Sequence, residues 1–141
     1  MSTTAMTNRQ NLNYGDKKLS KRERMRALYI EGWNTMDAQK LLDSTTPDFI
    51  FDDPADPAAI TKPELVAYMP VWPKRCAKLG ATFDFHMTDK VIEDKDGILL
   101  EWYHWMLKGT NVEGTAQIKT CDDGVMFERL TYYRTPWKLL R

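Results

Sequence analysis

Apolar residues along this chain recur at a helical spacing up to about residue 80 and at a twofold spacing after it. Met25, Leu28, Tyr29, Trp33 and Met36 fall on one stripe of a helix, the pattern of an element that buries a single face. Ser20-Lys21-Arg22-Glu23 ahead of them is a capping box: the serine accepts from the amide three residues on and the glutamate reaches back, so the helix starts there. Gly32 on the same stripe predicts the close approach of another backbone. A short helix from Asp37 to Asp43 offers Leu41 and Leu42 to the core, and Pro47 stops it. Asp48 to Asp53 reads as the first strand, and the prolines of the loop Pro54 to Ile60 prevent its continuation. Thr61-Lys62-Pro63-Glu64 is a second capping box, after which Leu65, Tyr68, Met69 and Trp72 repeat the helical spacing. Pro70 and Pro73 kink or split that helix near Met69, and Gly80 ends it.

From Ala81 the rhythm is that of strands. Phe83, Phe85 and Met87 alternate with Asp84, His86 and Thr88, which describes a half-buried strand. Asp94-Lys95-Asp96-Gly97 is a hairpin turn, and Ile98 to Leu107 is apolar on both faces, as expected of a central strand covered on two sides. Val112 to Cys121 and Val125 to Arg134 follow as strands across the turn Asp122-Asp123-Gly124, and Thr135-Pro136-Trp137 closes the chain. Helices first and hairpin-linked strands afterwards give an α+β fold, a strongly curved antiparallel sheet wrapped around one long helix. Residues 1–19, rich in Thr, Asn and Lys, read as a flexible arm ahead of one domain over residues 20–141.

Composition narrows the function classes. Lys+Arg and Asp+Glu are equal at 20 each, so no overall field draws the chain to nucleic acid or to an anionic membrane. No segment approaches the roughly 20 apolar residues that cross a bilayer, and the basic N-terminal stretch has no apolar core of a signal peptide. A soluble cytoplasmic protein is expected. Cys76 and Cys121 lack metal-ligand spacing and read as buried free thiols, and two isolated histidines, His86 and His104, offer no usual metal site. No cofactor is expected. Five Trp and eight Met in 141 residues favour an apolar pocket or a dimer face.

The candidate chemistry gathers around Phe51-Asp52-Asp53-Pro54. An aspartate at the end of an apolar strand, roofed by Pro54 and beside a second carboxylate, has its charged form disfavoured by desolvation and like charge, which suits a general base. Strand alternation sends Asp52 to the opposite, solvated face. Tyr29 on the long helix is a donor for developing negative charge, or a core tyrosine whose hydroxyl satisfies a buried partner. Asp53 before a proline is also a common loop-initiating device. Trp33, Phe51, Tyr68, Met69, Trp72 and Trp102 offer the lining of a pocket for a small hydrophobic ligand.

The element order, Trp33-Asn34-Thr35-Met36-Asp37 at the end of the first helix, Phe51-Asp52-Asp53-Pro54 and Asp123-Gly124-Val125-Met126-Phe127-Glu128 together resemble the nuclear-transport-factor-2-like superfamily over residues 20–134. Its ketosteroid isomerases and SnoaL-like polyketide cyclases are the branches the chain is most similar to. The resemblance implies a cone-shaped sheet, a cofactor-independent enzyme and a homodimer. In ketosteroid isomerases the base precedes a proline at the end of the first strand, here Asp53, and the oxyanion tyrosine lies 24 positions upstream, here Tyr29. The second oxyanion donor, a neutral aspartate in that family, falls at Gln117, which donates but cannot titrate. The cyclases often carry Gly-Thr-His on the penultimate hairpin, where this chain has Gly109-Thr110-Asn111, leaving His104 as the nearest substitute and Asn111 as a binding residue.

Three readings follow. The first is an acid–base enzyme that takes a C–H proton from a small hydrophobic carbonyl compound with Asp53 and holds the enolate oxygen with Tyr29 and Gln117, leading to isomerisation, aldol cyclisation or dehydration. The second is a non-catalytic ligand-binding or dimerisation module with its cavity filled. The third is an epoxide hydrolase, which wants an arginine between two aspartates that the sequence does not single out. Dimerisation through the outer face of Ile98 to Leu107 predicts a dimer mass by size-exclusion chromatography with light scattering, and a monomer at micromolar concentration overturns it.

Overall fold

A computed structural model of the chain describes residues 18–134. The expected arm therefore lies outside the described residues as far as residue 17, as does the closing Thr135-Pro136-Trp137. The long helix α1 (Lys21–Thr35) begins at the expected box: Ser20 Oγ accepts from the Glu23 amide at 3.2 Å, and Glu23 Oε1 accepts from the Ser20 amide at 2.9 Å. It ends at Met36, in a left-handed conformation with φ 52°. The buried face comprises Glu23, Arg26, Tyr29, Ile30, Gly32 and Trp33, while Met25 and Leu28 are only half-buried and Met36 is exposed. The face is rotated from the apolar stripe because the interior accepts charged groups that have partners there.

Gly32 is needed where it stands. A Cβ at that position would lie 3.1 Å from the backbone nitrogen of Leu41 in the next helix, α2 (Ala38–Asp43). The first strand, β1 (Thr45–Asp52), starts earlier than expected and runs through Pro47. Proline cannot donate to a ladder, and the pairing of β1 with the last strand is irregular between Thr45 and Ile50, so no ladder bond is asked of it. A two-residue strand, β2 (Ile60–Thr61), occupies the end of what reads as loop and pairs with Ile50 and Phe51 of β1. Helices α3 (Lys62–Tyr68) and α4 (Val71–Lys78) are the predicted split at Pro70.

Four long strands complete the fold: β3 (Phe85–Lys95), β4 (Ile98–Leu107), β5 (Glu113–Cys121) and β6 (Gly124–Arg134). The sheet order is β2-β1-β6-β5-β4-β3, antiparallel throughout except that β1 runs parallel to β6. At the β3–β4 turn Asp96 and Gly97 have φ 55° and 78°, the pair of positive values that suits the twist of a hairpin. Helix α1 packs against β4, β5 and β6, and its Tyr29 and Trp33 join Phe49, Phe51, Tyr103, Trp105, Leu107 and Ile118 in one core.

Strand β4 is covered on one side only. Leu99, Glu101, Tyr103, Trp105 and Leu107 are buried, but Trp102 and Met106 on the other face are 55% and 36% exposed. The two-sided apolar pattern therefore reports an inner core face and an outer face that this chain leaves open. Both cysteines are free, Cys76 buried as expected but Cys121 only half-buried, at the end of β5 beside the turn to β6. No helix among the described residues is long and apolar enough to cross a membrane.

Gly114 has the closest neighbour of the described glycines. A Cβ there would fall 1.8 Å from the Thr131 carbonyl oxygen, with backbone rather than a movable side chain in the way. Gly114→Ala is expected to destabilise by about 3 kcal/mol, the upper end of ordinary overpacking, read as a lower urea midpoint at unchanged slope.

Candidate functional site

The inner faces of β1, β6 and β4 carry a repeating order of side chains, because every second residue of a strand points inward. On β6 they are Glu128, Leu130 and Tyr132; on β1, Phe49 and Phe51, followed by Asp53; on β4, Glu101, Tyr103, Trp105 and Leu107. Parallel pairing sets Phe51 beside Glu128, so Asp53 stands two residues, about 7 Å of strand, further along the same wall. Polar groups thus lie at the two ends of an aromatic belt.

The belt lines a cavity of about 50 Å³, space for several water-sized groups. Its lining comes from Trp33 of α1, Phe51 of β1, Trp72 of α4, Phe83, Phe85 and Met87 on and before β3, Tyr103 and Trp105 of β4, and Glu128 and Leu130 of β6. Ring pairs such as Trp72–Phe85 and Phe85–Trp105, both 5.6 Å between centroids and steeply inclined, hold its shape. Glu128 is the titratable carboxyl of this lining. The Trp72 indole N–H is buried and has no hydrogen-bond partner among the described residues.

At the floor, Glu128 accepts from the Tyr29 hydroxyl at 2.6 Å on Oε1 and from the Tyr103 hydroxyl at 3.2 Å on Oε2. Burial raises its carboxyl above the ordinary value, opposed by the Tyr29 hydrogen bond, the Arg26 charge and the Tyr103 hydrogen bond. Both tyrosines are pushed well up by burial and then by the Glu128 charge, so they remain donors. Below them Glu101, fully buried, takes Arg26 Nε at 2.5 Å and Lys90 Nζ at 2.6 Å.

At the other end, Asp53 is 2% exposed and its Oδ1 accepts from the Ala55 amide at 2.9 Å and from the Tyr132 hydroxyl at 2.8 Å. Its Oδ2 lies 3.8 Å from Arg75 Nη1. Burial, partly opposed by the Ala55 and Tyr132 hydrogen bonds, pushes its carboxyl up to about 6. Arg75 also binds Asp56, and Tyr68 donates to Asp56 at 2.6 Å, so one guanidinium sits between two aspartates. This cluster stands just behind the lining: Arg75 covers the Trp72 ring at 5.3 Å, and Tyr132 packs edge-on against Trp105 at 5.2 Å.

The expected site residues separate into four groups. Trp33, Phe51 and Trp72 line the cavity. Tyr29 and Asp53 are inside the cone but at opposite ends of it, each held by its own acid or hydroxyl partner, and they share no hydrogen-bond partner among the described residues. Tyr68, with its ring 5.4 Å from Phe51, and the buried Met69 back the lining without entering it. The remaining four lie elsewhere. Gln117 alternates with the buried Ala116 and Ile118 and so points to the outer face, level with the exposed Trp102. His104 is on that face as well, between Thr88 Oγ1 at 3.0 Å and Glu113 Oε1 at 2.9 Å and stacked on Tyr133. Trp102 is exposed there, and Asn111 is exposed in the turn between β4 and β5. For Gln117, His104 and Trp102, the alternation along β4 and β5 decides the side, whereas Asn111 lies outside both strands. Asp52 points outward as expected and pairs with Arg129 at 3.3 Å.

Sequence reading missed Glu128, Tyr103, Arg75 and Tyr132. Glu128 carried a readable signal: it shares a strand face with Leu130 and Tyr132, an acid within an inward row. Arg75 falls three residues after Trp72, on the buried side of α4. Among the described residues no group of three or more His, Cys, Asp or Glu side chains is placed to hold a metal ion.

No family model and no curated protein matches the chain. Solved structures do. A candidate ketosteroid isomerase from Parabacteroides distasonis superposes with TM-score 0.56 at 15% identity, over 80% of this chain and 88% of that one. A candidate SnoaL-like polyketide cyclase from Shewanella putrefaciens gives 0.56 at 9% identity, over 91% and 87%. A nuclear-transport-factor-2-like protein from Cytophaga hutchinsonii gives 0.56 at 12% identity, over 77% and 93%. The element order, the mixed curved sheet closed over α1 and these superpositions agree: the chain has the nuclear-transport-factor-2-like fold.

Proposed function

We propose that this protein is a cofactor-independent acid–base enzyme that acts on a small hydrophobic carbonyl compound through an enolate. The observation that carries the reading is Glu128, a titratable carboxyl lining an otherwise aromatic and aliphatic cavity and held there by two tyrosine hydroxyls. A carboxylate lining a largely apolar pocket is a general base for an acidic C–H. The Trp72 indole N–H, with no partner among the described residues, is the donor for the carbonyl oxygen as it gains charge. Asp53 is the second proton-transferring carboxyl, at the far end of the belt, where Arg75 and the Tyr132 hydroxyl favour negative charge. Tyr29 acts through Glu128, which it fixes in place. The proton leaves the carbon next to the carbonyl, rests on a carboxylate, and returns at the same or another carbon.

A second reading is favoured by Arg75 between Asp53 and Asp56, the arrangement a hydrolase uses to direct water onto an epoxide. It assigns the chemistry to the far end and leaves Glu128 structural, so Glu128→Gln retains hydrolysis of a small epoxide.

Exchange of α-protons of small cyclic and aromatic ketones in D₂O, followed by NMR, tests the first reading. Glu128→Gln is expected to slow exchange at least about 100-fold and Trp72→Phe about 10-fold or more; a wild-type protein that exchanges none of them above buffer overturns it.

Asp53 gives a prediction for stability as well. Its folded-state carboxyl is raised to about 6 from an ordinary 3.8. Stability linked to it is therefore complete below the unfolded value and lost as pH rises through about 6. Asp53→Asn should raise unfolding free energy by about 1–3 kcal/mol at pH 7.5 and by much less at pH 4, measured by urea denaturation at both. Loss of exchange in this more stable variant marks a functional carboxyl.

A further inference from the structure

The cavity has the make-up of a receptor for positive charge. Seven of its ten lining residues are aromatic, three of them tryptophan (Trp33, Trp72 and Trp105), and none is Lys, Arg or His. Aromatic faces attract a cation through their quadrupole, tryptophan most strongly, and the attraction grows as water is displaced. One of these rings already carries a cation from behind the lining: the Arg75 guanidinium lies 5.3 Å from the Trp72 ring, its own charge answered by Asp56 and Asp53. Rings alone would suit any apolar ligand, and Glu128 decides the charge. Glu101 is met by Arg26 and Lys90, and Asp53 lies 3.8 Å from Arg75. The side-chain hydrogen bonds of Glu128 come from two neutral hydroxyls, and no ion pair reaches it among the described residues. Both of its oxygens accept, the pattern of a carboxylate. Burial disfavours that charge, and a cation delivered through the cavity restores what burial takes away.

The lining also selects the kind of cation. A primary ammonium carries three N–H donors, each in need of an acceptor. Among the lining side chains the oxygen acceptors are Glu128 and the Tyr103 hydroxyl, which are already joined to each other, and a donor left unmet against an apolar wall is costly. A quaternary nitrogen has no N–H and presents only methyl or methylene groups, which pack on rings while their positive charge faces the carboxylate. We propose that the cavity is a site for a quaternary ammonium group, seated between the aromatic rings and Glu128, and that the substrates of this protein are small carbonyl compounds bearing such a nitrogen. This rests on the cavity being the site of the proton transfer proposed above and names the substrate class for it. In such a compound the C–H between nitrogen and carbonyl is acidified from both sides. Its proton passes to a Glu128 oxygen, and the electron pair of the broken C–H bond moves onto the carbonyl oxygen, toward the Trp72 N–H.

The test is binding, which needs no turnover. Tetramethylammonium chloride, four methyl groups on one charge, suits a cavity of about 50 Å³ that holds several water-sized groups; tert-butanol is its neutral counterpart and methylammonium chloride its N–H-bearing one. Isothermal titration calorimetry of the full chain at constant ionic strength is expected to show tetramethylammonium binding at least about 10-fold more tightly than either, with its methyl proton signal moved upfield by the rings. Glu128→Gln is expected to weaken tetramethylammonium about 10-fold or more and to leave tert-butanol within about 2-fold. Should Glu128→Gln fail to fold by near-ultraviolet circular dichroism, the wild-type preference for the cation over its neutral counterpart decides. No binding of tetramethylammonium, equal or tighter binding of tert-butanol or methylammonium, or a cation preference that survives in folded Glu128→Gln overturns the proposal. Exchange of neutral ketones without any cation preference overturns it too and leaves the enzyme reading intact. Cation preference without proton exchange, in trimethylammonioacetone included, removes the enzyme reading and leaves the ammonium site standing.

Discussion

The constraint on which the fold depends is that polar groups sealed inside the cone must answer one another. Helix α1 packs on the sheet with Arg26, Tyr29 and Trp33 on its buried side, three or four residues apart and so stacked along one face. Arg26 meets Glu101, Tyr29 meets Glu128, and Trp33 begins the aromatic belt. Each contact fixes the helix against a different strand of the sheet. A slip of α1 by one turn would take Arg26 from Glu101 and Tyr29 from Glu128 at once, and an uncompensated buried charge costs several kcal/mol. The helix is therefore registered on the sheet by charge and hydrogen bonding, with apolar packing supplying area and these pairs supplying position.

The parallel pairing of β1 with β6 does the same for the cavity. It sets Phe51 next to Glu128 and carries Asp53 to the level of Leu130, where the Tyr132 hydroxyl can reach back to it. Pro54 then takes the chain out of the sheet, and the loop it begins brings Asp56 to Arg75. Two carboxyls on neighbouring strands thus receive different surroundings, Glu128 among hydroxyls with a cation cluster below and Asp53 beside a guanidinium. Groups of one chemical type in unlike environments are what proton transfer in both directions requires.

Much of this was legible in the sequence, and the losses have a common cause. The capping boxes at Ser20 and Thr61, the break at Pro70, the glycine at 32 and the turn at Asp96-Gly97 are local devices whose chemistry lies within a few residues, and each stands where its residues predict. Aspects that depend on partners distant in the chain were not legible. Pro47 inside β1 is tolerated because of an irregularity that only β6 reveals. The 24-residue spacing of Tyr29 and Asp53 placed both inside the cone but gave no sign that Tyr29 would be taken by Glu128 from 99 residues away. Gln117 and His104 failed on parity: a strand face is decided by register, and one residue of register moves a side chain from cavity to solvent.

Parity also gives a rule that would have pointed to the candidate site. On β4 the inward row Leu99-Glu101-Tyr103-Trp105-Leu107 and on β6 the row Glu128-Leu130-Tyr132 each contain one acid among large apolar or aromatic residues. An acid on such a row loses its water when the sheet closes, so the rest of the chain must supply a cation or hydroxyl for it, or the fold is lost. Glu101 is answered fully, by two cations, and has no surface left for anything else. Glu128 is answered by two hydroxyls on one side and opens on the cavity on the other. An interior acid satisfied on every side is structural, whereas one satisfied on all sides but that of a hollow has coordination to offer, and that asymmetry separates Glu128 from Glu101 without reference to any relative.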